Sequence, residues 1–384
     1  MRFRMIITLM AFLMILLVGS SVTAQEDAEP QAFPPEVTAE IQAEMDSLTE
    51  GTLPPGMVVW IDTPEYRFEG ASGFANLVDE TPMSPEGAFR IGSITKMFTA
   101  TVVIQLAEDG VLALDDPLAM WLPEVADQLP YGDQITLRHL LSHTSGVYSY
   151  VENEAYFTDL FTSITVDETT GNVSLDCAQQ DPNDTLATYV YQQDALFEPG
   201  ASWHYSNTNY TLLGMVIETA TEMPLAEAYR TNIYESLGME STFLDCYEDA
   251  LVDVVNSYTG FGDTLSDVTD LHESLGWAAG GLVSTAPDLI TFARGLFSGE
   301  LFDDPASLET MTTAAPGLPS GLGIFIQPDY LGHSGFIAGF RAVLNYAPEF
   351  NTVVVILYNN DAADPEQSLS NVMSPVFSLL GAQD

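Results

Sequence analysis

Ser93 and Lys96 stand three positions apart at the predicted start of a helix. Residues at this spacing share one helix face, with β-carbons about 5–6 Å apart, so the lysine amine can reach the serine hydroxyl. In the first helical turn, unpaired N–H groups and the positive end of the helix dipole favour negative charge. A neutral amine at this place could therefore take the serine proton while the oxygen attacks a carbonyl group.

Lys96 is also the only lysine in the 384-residue chain. A Ser-x-x-Lys pattern by itself is common by chance, and a surface lysine would be its ordinary explanation. A chain that uses almost no surface lysine makes that explanation weak. The pair therefore predicts a serine nucleophile, Ser93, with Lys96 as its proton acceptor.

Tyr205 and Asn207 form a second candidate group, in the segment WHYSN before a predicted helix. The tyrosine could share the proton transfer with Lys96, and the asparagine amide could hold a substrate carbonyl group or the lysine. Taken alone, the segment favours a simpler explanation, because Ser206 or Asn207 would cap the helix well.

A third candidate segment contains His333, Ser334, Gly335 and Phe336, after a strand-like run over 330–333. A small Ser-Gly step on an edge strand would let a substrate backbone lie alongside it. The N–H of Phe336 could then form an oxyanion hole with the N–H of Ser93. A tight turn at Gly335 is the alternative that this segment alone leaves open.

Together the three segments resemble the serine β-lactamase and penicillin-binding-protein superfamily, closest to class C β-lactamases, D-alanyl-D-alanine carboxypeptidases and related esterases. The resemblance covers about residues 57–380 and includes FRIGSITKMFTA (89–100), LLSHTSG (140–146), residues 197–214, residues 280–296 and GHSGFIAGFR (332–341).

This resemblance implies a role for each of the candidate residues. Ser93 would be the acylated nucleophile, and Lys96 and Tyr205 the proton-transfer pair. Asn207 and the strand that carries His333, Ser334 and Gly335 would contact the substrate. No cofactor and no metal ion is implied.

One position departs from the pattern of the superfamily. His333 stands where class C β-lactamases and many penicillin-binding proteins have lysine, so a permanent positive charge is missing. This weakens the case for efficient binding of a β-lactam carboxylate. The departure favours a carboxypeptidase-like enzyme or an esterase over a true β-lactamase.

Two other kinds of chemistry are disfavoured by the sequence. No serine lies in a Gly-x-Ser-x-Gly pattern, which argues against a nucleophile-elbow hydrolase. His139 and His143 have a spacing that could bind zinc, but no glutamate adjoins His139 and no third ligand is evident. Similar histidines recur in the Leu-Leu-x-His-Thr-Ser-Gly stretch of the superfamily, so we expect a structural role for them.

The elements that must position these residues follow from the apolar periodicity and the turn signals. Helices are predicted over 36–48, 93–108, 136–141, 207–221, 225–237, 286–297 and 366–380, and strands over 57–62, 67–73, 323–326, 330–333, 338–345 and 352–358. The polar stretch 148–196 is predicted to be an insertion or a lid-like loop.

This order predicts an α+β fold, an α/β sandwich in which helices flank an antiparallel sheet, with an inserted, mainly helical lobe over roughly 100–280. Residues 25–384 would form a single composite catalytic domain of the β-lactamase/transpeptidase type.

The charge balance excludes several partners. Fifty-five acidic residues face nine basic ones, for a formal net charge of −46. Such a surface repels nucleic acid and anionic lipid. A solvated acidic surface explains the charge, and adaptation to high salt, where screening removes the self-repulsion, is the alternative.

The N-terminus indicates export. Arg2 and Arg4 precede an apolar run over 5–18, and Ala24 ends a group of small side chains typical of a signal-peptidase site. We expect residues 1–24 to be a signal peptide and the mature protein to be secreted, periplasmic or at the cell surface, without stable membrane insertion. An uncleaved anchor is the alternative.

Cys177 and Cys246 are the only cysteines in the chain. Outside the cytoplasm they could form one disulfide, and two free buried thiols are the alternative.

The resulting hypothesis is an exported serine hydrolase that forms an acyl-enzyme with a D-amino-acid peptide, such as a peptidoglycan stem, a β-lactam or a small ester. A non-catalytic module on the same fold that binds or senses peptidoglycan or another peptide is the alternative. The sequence leaves the oligomeric state open.

Overall fold

Segments from both ends of the chain build one antiparallel sheet. The computed structural model describes residues 30–51, 55–261, 264–315 and 317–381. Its strands are β1 Gln31–Ala32, β2 Gly56–Asp62, β3 Tyr66–Asn76, β4 Thr81–Pro82, β5 Ala88–Arg90, β6 Thr165–Val166, β7 Val173–Ser174, β8 Phe243–Leu244, β9 Tyr258–Phe261, β10 Thr264–Asp267, β11 Leu282–Thr285, β12 Phe325–Ile326, β13 Leu331–Ile337, β14 Phe340–Ala347 and β15 Thr352–Tyr358. The main sheet has the order β1-β3-β2-β15-β14-β13-β12, with β4 paired to β3. Its pairs are antiparallel except β1 with β3.

The central strands are buried on both faces, which their composition explains. β2 (GMVVWID) and β15 (TVVVILY) are almost continuous apolar runs. Because successive side chains of a strand point to opposite faces, each strand supplies two cores. Val58 and Trp60 join the larger apolar cluster with the helices of the middle of the chain, whereas Val59 and Ile61 join the smaller one with α1 and α14.

Helices cover both faces of the main sheet. They are α1 Pro35–Leu48, α2 Thr95–Glu108, α3 Leu118–Trp121, α4 Pro123–Ala126, α5 Leu137–Leu141, α6 Glu154–Ser163, α7 Pro182–Tyr189, α8 Asn207–Thr221, α9 Leu225–Tyr229, α10 Glu235–Leu237, α11 Trp277–Gly280, α12 Ala286–Ser298, α13 Pro305–Thr312 and α14 Pro365–Leu380. The π-helical turn Arg230–Tyr234 joins α9 to α10, so the helix predicted over 225–237 is continuous. The predicted α+β fold with a mainly helical middle is therefore confirmed.

Helix α2 is the axis of the helical part. Nearly all of its side chains are buried, and it packs against α8, α9, α11 and α13. A small sheet of order β5-β11-β8 lies before its N-terminus, where the N–H of Leu282 donates to Thr95 Oγ1 at 3.1 Å. This sheet fixes where α2 begins.

Residues 148–196 were predicted to be an insertion or a lid-like loop, and the loop alternative was wrong. The stretch contains α6, the hairpin β6–β7 and α7. Its acidic and hydroxyl residues are on the exposed side of α6, while Tyr156 is buried, and this mixture hides the helical period from a sequence reading. The stretch therefore has secondary structure of its own, and its being an insertion stays a prediction.

Cys177 and Cys246 form a disulfide, with their α-carbons 5.2 Å apart. The bond ties the segment between β7 and α7 to the segment that follows β8. Of the two alternatives that the sequence left open, the disulfide is therefore the correct one.

Two further expectations concern the ends of the chain. The predicted signal peptide, residues 1–24, lies outside the described residues. Within the described ranges, no helix is both long enough and apolar enough to cross a membrane. The bounds of the catalytic domain and of its helical lobe stay predictions.

Candidate active site

Ser93 lies in a tight turn and not in the helix itself. The 3₁₀ turn Gly92–Ile94 leads into α2, which begins at Thr95. The helix therefore starts two residues later than the predicted residue 93. Gly92 has φ +50°, a conformation that glycine adopts easily. The side chain of Ser93 is half-buried and faces a cavity.

Lys96 is fully buried beneath Ser93. Its Nζ lies 3.1 Å from Ser93 Oγ, 2.7 Å from Asn207 Oδ1 and 2.6 Å from the carbonyl oxygen of Ala279. No carboxylate pairs with it among the residues described. Burial therefore lowers the pKa of Lys96 well below its ordinary value.

These contacts suit a neutral amine. A neutral lysine has two N–H groups and one lone pair. If the two hydrogens go to Asn207 Oδ1 and to the Ala279 carbonyl, the lone pair is left for the hydroxyl hydrogen of Ser93. Burial at this position lowers the pKa of Lys96 against the distant field of the net charge of −46, which favours the protonated form.

Tyr205 lies beside Lys96 and Ser93. Its ring centroid is 4.9 Å from Lys96 Nζ and it stacks on Phe325 with 6.1 Å between centroids. Burial raises the pKa of Tyr205, and the nearby Ser93 hydroxyl lowers it by less. The two opposite shifts favour Lys96 as the proton acceptor and Tyr205 as a neutral hydroxyl that passes a proton on.

Asn207 is the first residue of α8, but its side chain does not cap the helix. Its Oδ1 accepts from Lys96, and Ser206 at the N-cap position makes no side-chain cap hydrogen bond. The helix-cap explanation, which the isolated segment favoured, is therefore wrong. Only the contact between α2 and α8 shows what Asn207 binds.

The LLSHTSG stretch holds the Tyr205 segment in place. His143 Nδ1 accepts from the N–H of Ser206 at 3.1 Å, and the His143 carbonyl accepts from the N–H of His204 at 3.0 Å. Ser149 Oγ accepts from the N–H of Asn207 at 3.1 Å. His139 takes part in a capping box with Thr136 at the start of α5. The structural role expected for both histidines is confirmed.

His333 is buried on β13. Its Nδ1 lies 2.6 Å from the carbonyl oxygen of Ser334, to which it can donate. Burial, above all, lowers the pKa of His333 to about 3. The imidazole is therefore neutral near pH 7, and it brings no positive charge to the site.

Gly335 is not at a turn. It lies inside β13, which runs to Ile337, so both the turn and the strand end predicted at 333 were wrong. Its α-carbon packs against the segment before Ser93, and a side chain would collide there. The edge-strand prediction was correct, because β12 pairs with β13 only at Leu331 and Gly332.

The backbone of Phe336 lies against the turn that carries Ser93. A β-carbon at Gly92 would be 2.8 Å from the Phe336 nitrogen and 2.9 Å from its oxygen. This contact is the one that an oxyanion hole built from the N–H groups of Ser93 and Phe336 requires. The side chains of Ser334 and Phe336 are exposed, and they line two different cavities.

One contact of the site had no signal in the sequence. The Ala279 carbonyl that holds Lys96 belongs to the backbone, so no residue type marks it. It follows Trp277, whose φ of +34° is strained for a non-glycine residue.

Among the described residues, one side-chain group has the spacing of metal ligands: Cys177, Asp245, Cys246 and His272. Its two sulfurs form the disulfide, and none of the four lines the cavity at Ser93.

The model of the Beta-lactamase family matches residues 41–371. The chain belongs to the beta-lactamase family. The resemblance drawn from the three segments is thereby confirmed, and the chain is an enzyme of the serine-hydrolase type, which acts by acyl transfer.

Relatives within the beta-lactamase family carry several different activities in their names. The penicillin-binding protein PbpX of Bacillus subtilis is 26% identical over 81% of this chain and 71% of that protein. Esterase EstB of Burkholderia gladioli is 31% identical over 55% of this chain and 53% of its own length. A D-stereospecific amidohydrolase from Streptomyces sp. superposes with a TM-score of 0.76 and 30% identity, over 88% of this chain and 98% of that one.

Proposed function

We propose that this protein is an exported hydrolase whose nucleophile is Ser93 and whose substrates are esters and amides, including amides of D-amino acids. The observation that carries the proposal is the position of Lys96, buried, with no ionic partner among the described residues, and 3.1 Å from Ser93 Oγ. An amine kept neutral next to a serine hydroxyl is the arrangement that nucleophilic attack needs.

The proposed reaction has two steps. Ser93 Oγ bonds to the carbonyl carbon while its proton passes to Lys96, and the N–H groups of Ser93 and Phe336 hold the oxyanion. The bond to the leaving oxygen or nitrogen then breaks, and that atom takes the proton through Tyr205. In the second step water attacks the acyl-enzyme, its proton returns by the same groups to Ser93 Oγ, and a carboxylic acid is released.

The charge of the site supports a choice among substrates. β-Lactams and peptides that end in D-alanine carry a carboxylate near the bond that is cleaved. His333 is neutral, and neither cavity that adjoins the site is lined by a described lysine or arginine. Esters and amides without that carboxylate therefore fit better. Of the two activities that the sequence favoured, carboxypeptidase-like and esterase, this supports the esterase. The names of EstB and of the Streptomyces amidohydrolase agree with this choice.

A labelling experiment tests the nucleophile. A fluorescent fluorophosphonate should label the wild-type protein and not the Ser93→Ala variant. In the same preparation, p-nitrophenyl esters and D-amino-acid amides should be hydrolysed with a kcat/KM at least tenfold above that for nitrocefin and D-alanyl-D-alanine peptides. Labelling of Ser93→Ala would identify another nucleophile. No turnover of any substrate, together with tight binding of a peptide, would favour the non-catalytic module.

Export is tested separately. The full chain, produced in a bacterial host with its own N-terminus, should leave the cytoplasm and begin at Gln25 on N-terminal sequencing. A full-length chain that stays in the membrane fraction would contradict the proposal and favour the uncleaved anchor.

A further inference from the structure

A cavity of about 440 Å³ opens beside Ser93. The 148–196 stretch supplies one wall, because Tyr156, Phe157, Leu160 and Phe161 of α6 all face it. Phe157 and Phe161 are 48% and 59% exposed, although apolar side chains of this size are usually buried. Their exposure at the rim of a cavity next to the nucleophile points to an apolar ligand.

The opposite wall is also apolar. It consists of Val268, Leu271 and the end of β13, where Phe336 is 58% exposed. Apolar side chains of β13 and of α6 therefore line the same cavity as Ser93. A group bound to the carbonyl carbon at Ser93 can reach them.

The cavity lies on the acyl side of the scissile bond. Ser93, Asn207 and Phe336 line it, whereas Tyr205 and His333 do not. In the proposed reaction, the leaving group must lie near Tyr205 to receive its proton. The cavity, which is lined by neither of these two residues, is therefore left for the acyl group.

Two carboxylates lie in the same cavity. Glu273 Oε1 accepts from the N–H of Ala338 at 2.8 Å, and Asp361 Oδ2 accepts from the N–H of Gly339 at 3.2 Å. Consecutive backbone groups thus hold the two acids close together. Neither acid has an ion pair, and no lysine or arginine lines the cavity, within the part of the chain that the structure describes. The guanidinium of Arg341 lies behind the lining, 4.2 Å from the centroid of the Phe336 ring, where it donates to the backbone carbonyl of Asp361.

The charge around Glu273 has contributions of both signs. Burial raises the pKa of Glu273, the N–H of Ala338 and then the charge of Arg90 lower it by less, and the charge of Asp361 adds a smaller increase. An anionic ligand would meet the same repulsion, whereas a cationic group would relieve it. Among ligands that bind the apolar walls, the two carboxylates therefore select against those that carry a negative charge.

We infer that this cavity is the acyl pocket of Ser93 and that it selects bulky apolar acyl groups that are neutral or positively charged, while anionic acyl groups are rejected. The inference rests on the proposed function, in which Ser93 forms the acyl-enzyme. Glu273 and Asp361 are then specificity-determining residues, and α6 supplies the wall that recognises the size of the acyl group.

Four p-nitrophenyl esters test the selection at pH 8. They are the acetate and three longer esters of matched length: 7,7-dimethyloctanoate, which is neutral, 6-(trimethylammonio)hexanoate, which is cationic, and the pimelate monoester, which is anionic. The neutral long ester should exceed the acetate at least tenfold in kcat/KM, because each buried methylene contributes about a fourfold factor. The cationic ester should at least equal the neutral one, and the anionic ester should fall at least tenfold below it.

Variants assign these effects to residues. Glu273→Gln combined with Asp361→Asn keeps an acceptor for each backbone N–H and should bring the three long esters within about threefold of one another. Asp133→Asn combined with Glu240→Gln removes two exposed carboxylates outside the cavity and should preserve the order. Phe157→Ser combined with Leu160→Ser should remove most of the preference for the long neutral ester over the acetate.

Binding to the Ser93→Ala variant separates this inference from the proposed function. Calorimetry with the three matched long-chain carboxamides should give the same order of affinity without any catalysis. If Ser93 is not labelled by fluorophosphonate, the proposed function fails, and the calorimetry still decides the pocket. If Ser93 is labelled but the anionic ligand is bound and cleaved as well as the neutral one, or the long ester is no better than acetate, the inference is overturned.

Discussion

The backbone of Gly335 packs directly against the carbonyl group of Ile91, so that a β-carbon at residue 335 would lie 1.9 Å from that oxygen. The same contact places Phe336 against the turn of Gly92 and Ser93. An oxyanion hole formed by two N–H groups from distant segments depends on this approach. The glycine is thus required by the distance between two backbones and not by a turn.

The Gly335→Ala variant should therefore lose activity. The methyl group would push β13 away from Ile91, and loss of one oxyanion N–H costs about 100-fold or more in kcat. Ester hydrolysis and the melting temperature should be compared with those of Gly260→Ala, a strand position where a β-carbon meets nothing within 4 Å. Equal activity of the two variants would show that the approach of β13 is not needed.

The activity should rise with pH through the lowered pKa of Lys96. Below this pKa the amine is protonated and cannot accept the Ser93 proton, whereas above it the neutral form predominates. Because burial lowers the pKa, the enzyme should stay active near neutral pH. The measurement is the pH dependence of kcat/KM for a neutral ester at low and at molar salt. A large shift of the acid limb with salt would mean that the distant charges do reach the site.

The Asn207→Asp variant gives this assignment a specific check. A carboxylate 2.7 Å from Lys96 Nζ would stabilise the ammonium form, so the acid limb should move up by about one pH unit or more. Asn207→Ala removes the contact without adding charge and serves as the comparison. An acid limb that does not move in the aspartate variant would argue that Lys96 is not the group that titrates.

The His333→Lys variant should change the preference between substrates. A lysine ammonium at this place could hold the carboxylate of a β-lactam, and a hydrogen bond to a charged group corresponds to about tenfold or more in binding. The ratio of kcat/KM for nitrocefin to that for a neutral ester should rise by that factor. His333→Gln, which adds no charge, should leave the ratio near the wild-type value, and a ratio unchanged in the lysine variant would contradict the explanation.

Asp245 should make the stability of the fold depend on pH. Its carboxylate lies 2.8 Å from Arg90 Nε. Burial alone would raise its pKa, but the hydrogen bond with His272 and the charge of Arg90 hold it at about 2. The pKa of Asp245 in the folded protein is thus below its value of about 3.9 in the unfolded chain. The ionised carboxylate therefore adds about 2 kcal/mol to the free energy of unfolding at any pH above about 3.9, and this stabilisation is lost as the pH falls towards 2.

Urea unfolding of Asp245→Asn checks this contribution. The variant should be less stable than wild type at pH 7, and the difference should shrink between pH 4 and pH 2. Asp133→Asn, which removes an exposed carboxylate without an ion pair among the described residues, is the matched control. A difference that is as large at pH 2 as at pH 7 would assign the effect to packing instead of charge.

The disulfide should stabilise the protein through its unfolded state. Cys177 and Cys246 are 69 residues apart, and closing a loop of this length contributes about 4 kcal/mol in the chain-entropy model. The double variant Cys177→Ser/Cys246→Ser should unfold at a lower urea concentration and should not respond to a reducing agent, whereas wild type should shift towards the variant when reduced. A wild-type midpoint that reduction leaves unchanged would contradict this role.

The sequence by itself determined the chemistry of the site and the strongest elements. The single lysine three residues after Ser93 indicated a serine hydrolase, and the segments around Tyr205 and His333 indicated the family. The α8 helix and β15 were predicted with the correct bounds, because helix-forming periodicity and a β-branched apolar run are local signals. The neutral character of His333 was only suspected, since it depends on burial.

The tertiary structure alone decided how the parts meet. The Ala279 carbonyl that holds Lys96 is 183 residues away in the chain, and Gly335 is constrained by Ile91 from another segment. In the sequence, nothing distinguishes Glu273 and Asp361 from the other acidic residues, of which the chain has 55 in all. Only the fold places both beside the apolar wall of α6. Burial and charge–charge distance are properties of the packed chain, so a local pattern cannot contain the pKa shifts or the shape of the cavity.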